Sequence, residues 1–69
     1  MDHKFEADTF ACIDIAGNPS VHEIQAGTHI ATTHPWTQHD TLDDAIAAAQ
    51  GIKPDYVHGG SLYPQPVIL

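Results

Sequence analysis

Six histidines, one cysteine and nine carboxylates are the side chains of this sequence best suited to bind a metal, and among those able to move a proton or act as a nucleophile. The histidines are His3, His22, His29, His34, His39 and His58. His29, His34 and His39 recur every five residues, which gathers them on neither a helix face nor a strand face. Zinc takes four ligands in tetrahedral array, often from histidine pairs three to five residues apart. Folding would have to bring His22, His29 or His58 together to approach that set. The spacing therefore assigns no metal site and implies no cofactor.

Cys12 falls within a stretch of strand-forming residues, where a cysteine serves as a small buried hydrophobe rather than as a thiolate. Asp43 and Asp44 are consecutive, so they leave a helix in different directions and do not form an acid–base pair. A catalytic site needs a nucleophile with its base, or a paired acid and base, in a formed cleft. No such constellation stands in the sequence. The expectation is a protein that is not an enzyme.

Charge narrows the partners. Nine acidic residues face only Lys4 and Lys53, arginine is absent, and the net charge is −7 at pH 7. Nucleic acid and anionic membranes both require clustered Lys and Arg, so direct binding to either is excluded. A basic surface would instead be steered toward this chain. Asp40, Asp43 and Asp44 are the densest acidic cluster, and they are the candidate contacts for such a surface. Trp36, between Pro35 and Thr37, is a candidate interface anchor, since tryptophan is enriched among binding hot spots. Tyr63 is a further candidate, within an apolar C-terminal stretch suited to strand addition or groove docking.

The elements that must position these residues belong to one domain over residues 1–69. A chain this short has a thin core, and with one cysteine it has no intrachain disulfide to help it. Residues 1–8 are a polar lead-in. From Thr9 to Ile15, apolar residues occupy both alternating faces, as in a strand covered on both sides. Gly17-Asn18-Pro19-Ser20 signals a turn, and residues 21–25 return as the second strand of a hairpin. Residues 28–33 favour a third strand, completing a meander. Residues 34–39 read as a loop, because Pro35 biases His34 away from helix.

Thr41 then caps a helix, with Asp44 as the reciprocal partner of a capping box. Leu42, Ala45, Ile46 and Ala49 form one apolar stripe. Gly51 is the expected end, with Pro54 blocking continuation. Residues 56–58 offer an optional fourth strand. Residues 61–69, with two prolines among Leu62, Tyr63, Val67, Ile68 and Leu69, read as an extended apolar tail. The expected architecture is α+β: a small antiparallel meander packed against one short helix.

The function these features imply is a non-catalytic acidic binding protein that occupies a basic surface of a larger partner, such as a nucleic-acid-binding complex. In size, charge and lack of catalytic apparatus the chain resembles small phage-encoded inhibitors, including anti-CRISPR proteins and DNA mimics. The single cysteine, with no apolar run of membrane-span length and no signal-peptide pattern, implies a reducing, cytoplasmic location, in the host cell if a phage encodes the chain. The alternative is a structural or accessory subunit, such as a small virion component; homodimerisation is compatible with either. A histidine-based metal-binding protein is the third reading.

Overall fold

Ala16 and Gly17 both have positive φ, at 52° and 84°. Two consecutive left-handed residues make the tight hairpin turn whose twist matches that of paired strands. They join β2 (Thr9–Ile15) to β3 (Asn18–Ile24), with Ile15 opposite Asn18 and Thr9 opposite Ile24. The turn is thus one step earlier than the sequence suggests, and Asn18, Pro19 and Ser20 belong to the strand. Pro19 is tolerated because β3 is an edge strand and lacks a ladder donor only where none is needed. Its cross-strand neighbour Asp14 sends its own backbone N–H the other way, to Pro35 O at 2.8 Å.

That bond opens β5 (Trp36–His39), which pairs antiparallel with β2 from Ile13↔Trp36 to Phe10↔His39. The loop expected over residues 34–39 is therefore largely a strand. Pro35 sits just outside it, where it costs no ladder bond, and the pairing with β2 outweighs the polar character of Thr37, Gln38 and His39. The sheet order is β3-β2-β5.

The third strand of the expected meander does not join this sheet. β4 (His29–Ala31) pairs instead with β1 (Asp2–Lys4), so the polar lead-in contains a strand, in a separate two-stranded ribbon. Gly27, at φ 88°, donates to Phe5 O, and Phe5 N–H returns a bond to Thr28 O. These bonds carry the ribbon under the sheet, where Phe5 and Ile30 cover Ala11, Ile13 and Ile24. An uncovered apolar sheet face is the physical reason the ribbon forms there rather than extending the meander.

The opposite face of β2 takes the helix. α1 (Leu42–Ile52) begins at Thr41, whose hydroxyl accepts the Asp44 amide at 3.1 Å. Ala45 and Ala49 are fully buried against Cys12 and Val21, with Leu42 and Ile46 beside them. Alanines on the seam let the helix lie close to the sheet. The helix runs one residue past Gly51; it ends at Lys53, which is extended ahead of Pro54 and donates to Ala49 O. After it, residues 56–58 form no strand.

The result is three layers in the computed structural model, which describes residues 2–58. Helix, three-stranded sheet and ribbon stack with β2 in the middle, and its two alternating faces serve two separate core clusters. Antiparallel strands on one short helix make this an α+β fold, as the patterning indicated. The apolar tail, with Tyr63, lies outside the described residues. Among the described residues no helix is long and apolar enough to cross a membrane.

Candidate binding surfaces

β2 begins, and β3 and β5 end, at one end of the sheet. Asp8 precedes β2 there, Glu23 is the penultimate residue of β3, and Asp40 follows β5. The three carboxylates line one cleft of about 380 Å³ with Phe10 and Ile24 in its wall. Asp8 is fixed by its Oδ1, which accepts the Ala26 amide at 2.8 Å. Asp40 leads into the helix cap, so exposed Asp43 and Asp44, in the first turn of α1, extend the same end of the molecule. The register of the hairpin brings Asp8, Glu23 and Asp40 to one cleft, and the cap at Thr41 starts the helix that carries Asp43 and Asp44 immediately after it.

Among the described residues none of the five is engaged in an ion pair. Lys4 is in the ribbon and Lys53 terminates α1 at its far end. Unpaired carboxylates close to the positive end of a helix are individually stable, yet together project a negative field. Asp8 and Glu23 enlarge the cluster that sequence spacing assigned to Asp40, Asp43 and Asp44. Glu23 was legible only through the hairpin register, which places it opposite Phe10.

Trp36 stands apart from this end. It opens β5 and Asp40 follows the strand four residues on, so extended backbone separates them by about 13 Å. Its indole is half-buried on the ribbon side, 5.5 Å from the Phe5 ring and 5.3 Å from the His3 ring between centroids. Its remaining surface faces an open groove of about 640 Å³ with Thr32, Thr33, His34 and Pro35. The expected anchor thus packs one side on the core cluster around Phe5 and turns the rest to this groove, and the site residues divide between two surfaces.

Comparison with protein-family models, with curated proteins and with solved structures finds no match to this chain.

Burial, and secondarily the Asp14 charge, push the Cys12 thiol up from its ordinary value. It is therefore protonated at neutral pH and sealed in the helix–sheet core, opposite to what a nucleophilic cysteine requires. Among the described residues no three His, Cys, Asp or Glu side chains are gathered as a metal would need.

Two hydroxyl–imidazole contacts, at His22 and at His58, were not legible in the sequence. His22, 4% exposed, lies opposite Ala11 on the ribbon face of the sheet, its Nε2 2.8 Å from Ser20 Oγ. His58 Nδ1 is 3.1 Å from Tyr56 Oη, and Tyr56 packs on the helix–sheet core. The remaining nitrogens, His22 Nδ1 and His58 Nε2, are both buried without a hydrogen-bond partner. Burial, and then the nearby His58 charge, hold the His22 imidazole below its usual range. Burial likewise raises the Tyr56 phenol, while the polar Val21 backbone nearby opposes the rise.

Proposed function

We propose that this is a small, non-catalytic acidic binding protein that occupies a basic surface on a larger partner, through the end of the fold bearing Asp8, Glu23, Asp40, Asp43 and Asp44. The observation that carries the reading is the cleft shared by Asp8, Glu23 and Asp40, followed in sequence by exposed Asp43 and Asp44, none with an ion pair among the described residues, on a chain whose net charge is −7. Such a surface presents negative charge where a nucleic-acid-binding partner expects phosphates. It therefore fits an inhibitor of the phage-encoded type, anti-CRISPR-like or DNA-mimic-like. Attraction of this kind accelerates encounter and weakens with salt. We place the protein in the cytoplasm, where a free thiol such as Cys12 stays reduced.

The test is affinity capture from the native host with two baits, the wild type and the Asp40→Asn/Asp43→Asn/Asp44→Asn variant. The reading expects a basic protein retained by the wild type at low salt, released as salt rises, and bound several-fold more weakly by the variant. Equal retention of the same partner by both baits at all salt concentrations would overturn it.

A further inference from the structure

The order β3-β2-β5 makes β3 and β5 the two edges of the sheet, and no described strand pairs with the outer side of either. In an antiparallel ladder, residues whose backbone faces the neighbouring strand alternate with those facing away. Asp14 gives its N–H to Pro35 O, so Cys12 and Phe10, two and four residues earlier, also face β5 and meet Thr37 and His39. Trp36 and Gln38 therefore direct their N–H and C=O groups outward. A row of such groups is a template for a further strand.

The two edges differ. Along β3 the turn pair Ile15↔Asn18 fixes Pro19, Val21 and Glu23 as the outward positions. Pro19 has no N–H to offer, and Tyr56 packs against the core cluster that holds Val21. On β5 both outward positions keep a donor. Its middle residues are exposed on both faces: Thr37 on the helix side, opposite Cys12, and Gln38 on the ribbon side, opposite Ala11. No lysine or proline stands within the strand to guard it.

Charge is unequal along this edge. Asp40 follows its last residue, with exposed Asp43 and Asp44 in the first turn of the helix beyond. The Trp36 end lacks this excess. A cavity of about 180 Å³ there is lined by Asp14, Pro35, Trp36 and Ile52. Asp14 accepts the Gly17 amide at 2.9 Å, and Lys53 follows Ile52. The open groove beside Trp36, with Thr32, Thr33, His34 and Pro35, has no carboxylate in its wall.

We propose that the outer edge of β5 takes an extended segment of the basic partner as a fourth strand, antiparallel to β5, with Lys or Arg beside Asp40 and an apolar residue at the Trp36 groove. The proposal rests on the reading of the acidic end given above and names the form of partner it takes. Backbone bonds at Trp36 and Gln38 hold the segment, while charge selects its sequence and direction. Two copies pairing edge to edge would bring together net charges of −7 each, so a basic strand is favoured over a second copy.

The probe is an acetylated, amidated peptide, Lys-Thr-Lys-Val-Thr-Val-Phe, titrated into the full chain at low salt and followed by NMR. Amide exchange at Trp36 and Gln38 should slow about tenfold when about nine-tenths of the protein is bound, with Val21 and Glu23 unchanged. Gln38→Pro removes an outward N–H and no bond to β2; Gln38→Val loses the same side-chain bond to Thr9 and keeps that N–H. The proline variant should bind at least about tenfold more weakly than the valine variant. If it does not fold, exchange at Trp36 and Gln38 in the wild type decides.

The Asp40→Asn/Asp43→Asn/Asp44→Asn variant reports separately on the acidic end. Weaker binding by it, with equal affinities of the two Gln38 variants or unchanged exchange at Trp36 and Gln38, would overturn strand addition and leave the charge reading standing. No binding by the wild type, or slowing at Val21 and Glu23 instead, would also overturn the proposal. So would protection of Trp36 and Gln38 before peptide is added. Protection that rises with protein concentration would assign the edge to a second copy; protection independent of it would assign the edge to residues 59–69.

Discussion

Thr9 donates its hydroxyl to the carbonyl of His39 at 2.8 Å, joining the first residue of β2 to the last of β5 across thirty positions of sequence. The same oxygen accepts from Gln38 Nε2 at 3.3 Å. Thr9 is buried, and its hydroxyl fixes where the chain leaves the sheet toward Asp40 and the helix cap. Thr9→Val keeps the shape and removes both bonds, leaving the His39 carbonyl short of a partner. Urea unfolding should show a loss of about 1–2 kcal/mol, with the m-value unchanged. Partial recovery with Thr9→Ser would assign the loss to the hydroxyl rather than to packing.

How much of this was legible follows from where the constraint resides. Strand β2 was readable because a centrally placed strand must be apolar on both faces, as Phe10, Cys12, Ala11 and Ile13 are. The helix was readable because Thr41 and the Leu42, Ala45, Ile46, Ala49 stripe act within a few residues of one another. β5 was hidden by Pro35 and its own polarity, since its stabilisation comes from pairing with residues more than twenty positions earlier. The ribbon was hidden for the same reason: three-residue strands show no periodicity, and Lys4 pairs with a residue, His29, on the far side of the hairpin in sequence. Asp40, Asp43 and Asp44 stood out as neighbours in sequence, whereas Asp8 and Glu23 join their cleft only through register and chain reversal.

The helix cap separates folding from binding at the acidic end. The bond runs from the Asp44 backbone amide to Thr41 Oγ1, so the Asp44 carboxylate is not its acceptor. Thr41→Ala should therefore cost about 1 kcal/mol in thermal or urea unfolding. Asp44→Asn should cost less, losing only its interaction with the helix dipole, and that smaller loss should shrink further as salt is added. If Asp44→Asn destabilises as much as Thr41→Ala, the carboxylate has a structural role and binding by its variants must be corrected for folding.

Stability should depend on pH through His22. Its folded-state pKa lies below the unfolded value, because burial and the His58 charge both oppose the proton. Between those two values the unfolded chain binds more protons than the folded one. The neutral buried ring therefore contributes its full stability above about pH 6.5, and that contribution is lost as pH falls through the window beneath it. Urea midpoints measured from pH 7.5 to 5 should decline, most steeply just below pH 6.5. A variant without this ring, His22→Gln, should show a shallower decline over the same interval. Parallel curves for the two proteins would assign the acid sensitivity elsewhere.

The hairpin turn allows a stabilising substitution. Ala16 has φ of 52°, a left-handed conformation that is unfavourable for a residue with a Cβ and suits Asn or Gly. Gly17, at 84°, already supplies what the second position of such a turn requires. Ala16→Asn gives the Asn-Gly pair preferred there, on an exposed turn whose conformation need not change. It should raise stability by about 0.4–1 kcal/mol, read as a higher urea midpoint at constant m. Gly17→Ala meets nothing within 4 Å of the added methyl, so space is not at issue. Its cost should come from backbone strain alone, about 1 kcal/mol. Should Ala16→Asn destabilise while Gly17→Ala is neutral, the turn is not the two-residue form and the pairing of Ile15 with Asn18 must shift.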